Sequence, residues 1–111
     1  MLVNKIIFIQ NKLFRIKIEC NNINKKLSII RNKIHSLNYE YKCSFYKNIY
    51  LSKFYDISQI SDYRLDIQLK IYELGLVINK YKNRINVLNK ACIKYNNNLV
   101  YYNILLNKIN L

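Results

Sequence analysis

His35 is the only histidine in 111 residues, and it stands one position from Ile34, an apolar residue of regular helical spacing. No serine or cysteine lies at a spacing from it that would make a nucleophile–base pair. The six carboxylates, Glu19, Glu40, Asp56, Asp62, Asp66 and Glu73, are scattered, and none has a histidine three or four residues away for a metal. Cys20, Cys43 and Cys92 lie far apart with no CxxC pair, which suits neither a zinc site nor a secreted disulfide framework. Gly75, the single glycine, has no neighbouring glycines to cradle a phosphate. These residues predict a protein without catalysis, cofactor or metal, whose work is binding, positioning or transmission.

The elements that must carry such work are legible in the spacing of apolar residues. From the N-terminus they fall at Leu2, Ile6, Ile9, Leu13, Ile16, Cys20, Ile23, Leu27, Ile30, Ile34, Leu37 and Tyr41, in alternating steps of three and four after the first. This is the seam of a coiled coil. A second run passes through Ile60, Tyr63, Ile67, Ile71, Leu74, Ile78, Tyr81, Ile85, Leu88, Cys92, Tyr95, Leu99, Tyr102, Leu106 and Ile109. Its step from Ile67 to Ile71 reads as a stutter, a local unwinding of the supercoil. The first run has a matching irregularity after Tyr41, where Phe45 and Ile49 continue at steps of four.

Between the runs, Asp56, Ser58, Ser61 and Asp62 are competent helix N-caps. The expected fold is therefore all-α, one domain of two long helices in an antiparallel coiled-coil hairpin. The helices span 3–51 and 58–110, with the turn at 52–57. Each would be roughly 70–75 Å long at about 1.5 Å per residue. One continuous helix in a parallel dimer is the rival. A turn centred near Asp56 sets residue i approximately opposite residue 112 − i, which puts Cys20 beside Cys92 as two small apolar core residues. With no proline, β-sandwiches and barrels lack the turn residues they need.

Charge is the other strong feature: 19 Lys and Arg against 6 Asp and Glu, a net +13. Asn, Ile, Lys and Tyr together make 63 residues, and all four have A/T-rich codons, so base composition alone can generate part of the excess. One flank of the first seam reads Lys5, Lys12, Glu19, Lys26, Lys33, with few acids on the second helix to meet it. Those lysines are expected to lack partners within the chain, and two readings stay open: a solvated face produced by base composition, or a stripe for an acidic protein. The N-terminal stretch is too interrupted for a signal peptide, and no apolar run reaches 18 residues, so a cytoplasmic protein is expected. Tyrosines and phenylalanines crowd the half nearest the turn, where Tyr46 and Tyr50 leave the seam as candidate contact anchors.

A short basic hairpin with tyrosines on each side of its turn resembles the flagellar export protein FliJ family and its injectisome counterparts. The likeness is carried by 37–48 (LNYEYKCSFYKN), by 62–68 (DYRLDIQ) opening the second helix, and by 87–95 (VLNKACIKY). The resemblance implies a non-enzymatic stalk of the type III protein export apparatus, mainly monomeric, at the cytoplasmic face of the inner membrane. Its paired ends would enter the export ATPase hexamer through Lys5, Lys12, Lys26, Lys90 and Lys94. Its turn half would meet the export gate's cytoplasmic domain through Tyr41, Phe45, Tyr46, Tyr50, Tyr72 and Gly75, and export chaperones would also bind. Gln68 and Asn79 stand where the family has an aromatic residue and a histidine. Two other classes remain open from the residues alone: a basic binder of nucleic acid or another polyanion, and a structural homo-oligomer.

Overall fold

A computed structural model describes residues 1–46 and 57–110. The fold is all-α: two long helices in an antiparallel coiled-coil hairpin. Helix α1 spans Leu2–Tyr46 and helix α2 spans Ile57–Asn110. The expected extension of α1 through 47–51 and residues 52–56 of the expected turn lie outside the described residues, while Ile57, expected to end the turn, already belongs to α2. Ser58, Ser61 and Asp62, offered as caps, fall inside α2, while Asp56 lies outside the described residues.

The chain divides into two compact units. In the first, residues 1–25 of α1 lie beside 81–111, with numbers rising along one helix as they fall along the other. Lys5 reaches Tyr102 and Glu19 reaches Arg84. Ile6, Ile9, Ile23 and Leu88 are the buried core here. Burying each such side chain stabilises the pair by about 1.5–3 kcal/mol relative to leaving it in water. In the second unit, residues 26–80, the buried residues among those described are Leu27, Ile60, Ile67 and Ser44.

Every α1 seam residue expected from Leu2 to Tyr41 is buried or half-buried. Past Tyr41 the expected Phe45 is exposed and the buried position is Ser44, at 3%, while Ile49 lies outside the described residues. On α2, Tyr63 is exposed and Arg64 takes its place in the seam, half-buried. With Ser44 and Arg64 included, the covered residues of both helices keep alternating steps of three and four among the described residues of the second unit, so the stutter at Ile67–Ile71 is absent and α1 keeps its alternation as far as Ser44. Both irregularities came from following only apolar residues through a layer that is polar. Ile109, the last residue assigned to the seam, is also exposed.

The pairing register differs from the expected one as well. A rule of 112 − i would set Glu19 beside Ile93 and Ser44 beside Gln68, whereas Glu19 meets Arg84 and Ser44 meets Arg64. Cys20, next to Glu19, accordingly lies near Arg84, and all three cysteines are free thiols. The contacts Lys5–Tyr102, Glu19–Arg84 and Ser44–Arg64 fall short of 112 − i by five, nine and four residues.

Candidate interaction surface

The second unit holds a polar and aromatic cluster built across the two helices. Arg64 donates from Nη2 to the Ser44 carbonyl oxygen at 3.0 Å and from Nε to Ser44 Oγ at 3.1 Å. Ser44 Oγ donates in turn to the Tyr41 carbonyl at 2.6 Å, one turn back on α1. The guanidinium carbon sits 4.0 Å from the centre of the Phe45 ring, a cation–π contact, and the Phe45 ring meets Tyr41 edge-on at 5.0 Å. Gln68 donates to the Tyr41 hydroxyl at 2.9 Å. On the other edge, the Tyr63 hydroxyl donates to Glu40 Oε1. That bond, then burial, and then the negative charge of Glu40 push the Tyr63 phenol up to about 12.

The six residues expected to meet an export gate fall unevenly on this unit. Tyr41 and Phe45 belong to the cluster, Tyr41 half-buried and Phe45 half exposed. Tyr72 is 65% exposed, and Gly75 is half-buried with open space where a Cβ would stand. Tyr46 ends α1, with its side chain outside the description, and Tyr50 lies outside the described residues. Sequence reasoning missed Ser44, Arg64, Gln68 and Glu40 as cluster members. The signal that could have found them is the seam itself, since Arg64 in place of Tyr63 restores its alternation.

The lysines expected to face an ATPase ring are Lys5, Lys12, Lys90 and Lys94 in the first unit and Lys26 in the second. The expectation that the flank lacks partners needs correction. Lys5 lies 5.6 Å from the centre of the Tyr102 ring, and half-buried Lys12 lies 5.4 Å from that of Phe8. Lys26 also makes a contact within the chain. Aromatic faces thus take the place of the missing acids. Lys90 and Lys94 are exposed on α2. Glu19, the one acid of the flank, receives Nε and Nη2 of Arg84 at 2.8 and 3.3 Å. The hydrogen bond from Arg84 holds its carboxyl below the usual carboxylate range. The first unit therefore carries ten Lys and Arg side chains and a single carboxylate, already engaged. An open groove of about 390 Å³ in this unit is lined by Asn4, Lys5, Phe8, Ile9, Tyr95, Asn98 and Tyr102.

His35 is exposed, and no three His, Cys, Asp or Glu side chains gather at a metal-binding spacing among the described residues. No described helix is long and apolar enough to cross a membrane. The chain matches no model of a known protein family, no curated protein and no solved structure.

Proposed function

We propose that this chain is a non-enzymatic coiled-coil adaptor that presents its basic first unit to an acidic protein surface. The observation that supports the reading is the imbalance in that unit, ten cationic side chains to one carboxylate. Exposed Lys90 and Lys94, together with Lys5 and Lys12 held on aromatic rings, offer charge and apolar stem at once. The resemblance to the FliJ family makes the hexameric export ATPase the first partner to try, with the protein acting as a stalk at the cytoplasmic face of the membrane. The export gate and the export chaperones follow by the same resemblance, the gate at Tyr41, Phe45, Tyr72 and Gly75.

The test is a pulldown of the purified chain against a hexameric export ATPase and against duplex DNA over a salt series. The proposal expects ATPase binding that weakens steeply as salt rises, because exposed ion pairs are screened within about 8–10 Å near physiological salt. It also expects loss of binding when Lys5, Lys12, Lys90 and Lys94 become glutamine. ATPase affinity indifferent to salt would reject the lysine mechanism, and preferential capture of DNA would replace the protein partner by a polyanion.

A further inference from the structure

Helix α2 carries a second apolar row besides its seam. Leu65, Leu69, Tyr72 and Leu76 recur at i, i+4, i+7 and i+11, so they share one helical face. That face is turned away from the seam residues Ile67, Ile71 and Leu74. The four side chains are 53, 51, 65 and 45% exposed. A contiguous uncovered row of this kind on a water-facing helix marks an interaction site.

The residues beside the row say what fits it. Asp62, Asp66 and Glu73 follow one edge at i, i+4 and i+11, all exposed, in a protein that has only six carboxylates. Asp66 pairs at 3.0 Å with Lys70 one turn on, and Asp62 and Glu73 flank that pair. Gln68, Gly75 and Asn79 follow the other edge without charge. A second copy of this chain is a poor occupant of the row. Antiparallel self-pairing would set Asp66 against Glu73 of its copy, with Lys80 alone on the acidic edge to meet Asp62. Parallel self-pairing would set it against Gln68 and Asn79, which carry no cation. Charge complementarity instead requires Lys or Arg opposite the carboxylates.

We propose that Leu65, Leu69, Tyr72 and Leu76 form a docking face for one amphipathic helix of a partner protein, with lysine or arginine along the edge that meets Asp62, Asp66 and Glu73. This surface is separate from the basic first unit and needs no export ATPase. Its polarity is opposite to that of the chain as a whole, and this makes it decisively testable. Near physiological salt the Debye length is about 8 Å, so the local edge outweighs the distant net charge.

The probes are two labelled helical peptides with leucine at i, i+4, i+7 and i+11, one edged with lysine and the other with glutamate, titrated against the full chain by fluorescence anisotropy. The expected result is saturable binding of the lysine-edged peptide, at least about tenfold tighter than the other. Leu69→Glu should weaken it by about tenfold or more with unchanged helical circular dichroism, and Tyr72→Ser should do the same should Leu69→Glu unfold. The pair Asp66→Lys and Glu73→Lys should reverse the preference. Tighter binding of the glutamate-edged peptide, no saturable binding of either, indifference to both row substitutions, or a concentration-dependent dimer abolished by Leu69→Glu would each overturn the proposal.

Discussion

Arg64 of α2 is bound to Ser44 of α1 twice, through Nε to the hydroxyl and through Nη2 to the backbone carbonyl, inside a seam that is otherwise largely apolar. The bonds are charge-assisted, and the guanidinium fills its remaining space against the Phe45 ring. A polar layer of this kind costs desolvation but rejects every register that would leave the arginine unpaired.

Arg64→Ala should therefore lower the unfolding free energy by about 1–2 kcal/mol, through the lost bonds and the stranded Ser44 oxygens. The double change Ser44→Leu with Arg64→Leu should act in the opposite sense, raising the melting temperature while weakening register. Thermal melts measure the first effect and doubled amide resonances the second. A double variant as uniquely ordered as the native chain would show that Ser44 and Arg64 do not set the register.

The Tyr63–Glu40 bond gives an alkaline dependence of known sign. Its phenol lies at about 12 rather than the ordinary 10.0, so the bond's contribution is complete below about pH 10 and is lost as pH climbs through about 12. The stability gap between the native chain and Tyr63→Phe, read by urea unfolding, should be constant from neutral pH to about 9 and close above about 10. A gap that persists undiminished to about pH 12 would place the bond elsewhere.

Gly75 sits inside α2 without positive φ, and an added Cβ there meets nothing within 4 Å. Gly75→Ala should stabilise the protein by about 0.5–1 kcal/mol, the usual helix-interior difference. Should a partner approach the bare backbone at this position, the same substitution will weaken its binding while raising the melting temperature. A fall in melting temperature would show that the position is crowded.

The sequence made the helices legible because a coiled coil writes its packing as a period. Leu2 through Tyr41 on α1 and Ile67 through Leu106 on α2 all lie in the covered seam where their spacing put them. Ser44 and Arg64 were hidden because apolar spacing cannot register a seam position held by a hydroxyl and a guanidinium. Tyr63 and Phe45 are the neighbouring apolar choices, and following them generates a stutter that the covered residues do not show. Pairing across the helices is less legible still, since an apolar period of three and four reads the same in every register. On the surface, the lysine flank was visible as a charge pattern, but its settling on Tyr102 and Phe8 was not, because cation–π contacts follow from three-dimensional proximity. The row Leu65, Leu69, Tyr72 and Leu76 became distinct only once the seam was known to run through Arg64 and Ile67.

The most direct test of the folded-back pairing is the distance between spin labels, with the native cysteines replaced by alanine and labelled chains diluted in unlabelled protein. Labels at Glu19→Cys and Arg84→Cys should give a short intramolecular distance. Labels at Glu19→Cys and Asn103→Cys, next to the Tyr102 that Lys5 meets, should lie farther apart by about 20 Å, roughly fourteen residues of helix at 1.5 Å each. The reverse ranking would contradict the antiparallel pairing, and two long distances would contradict the hairpin itself.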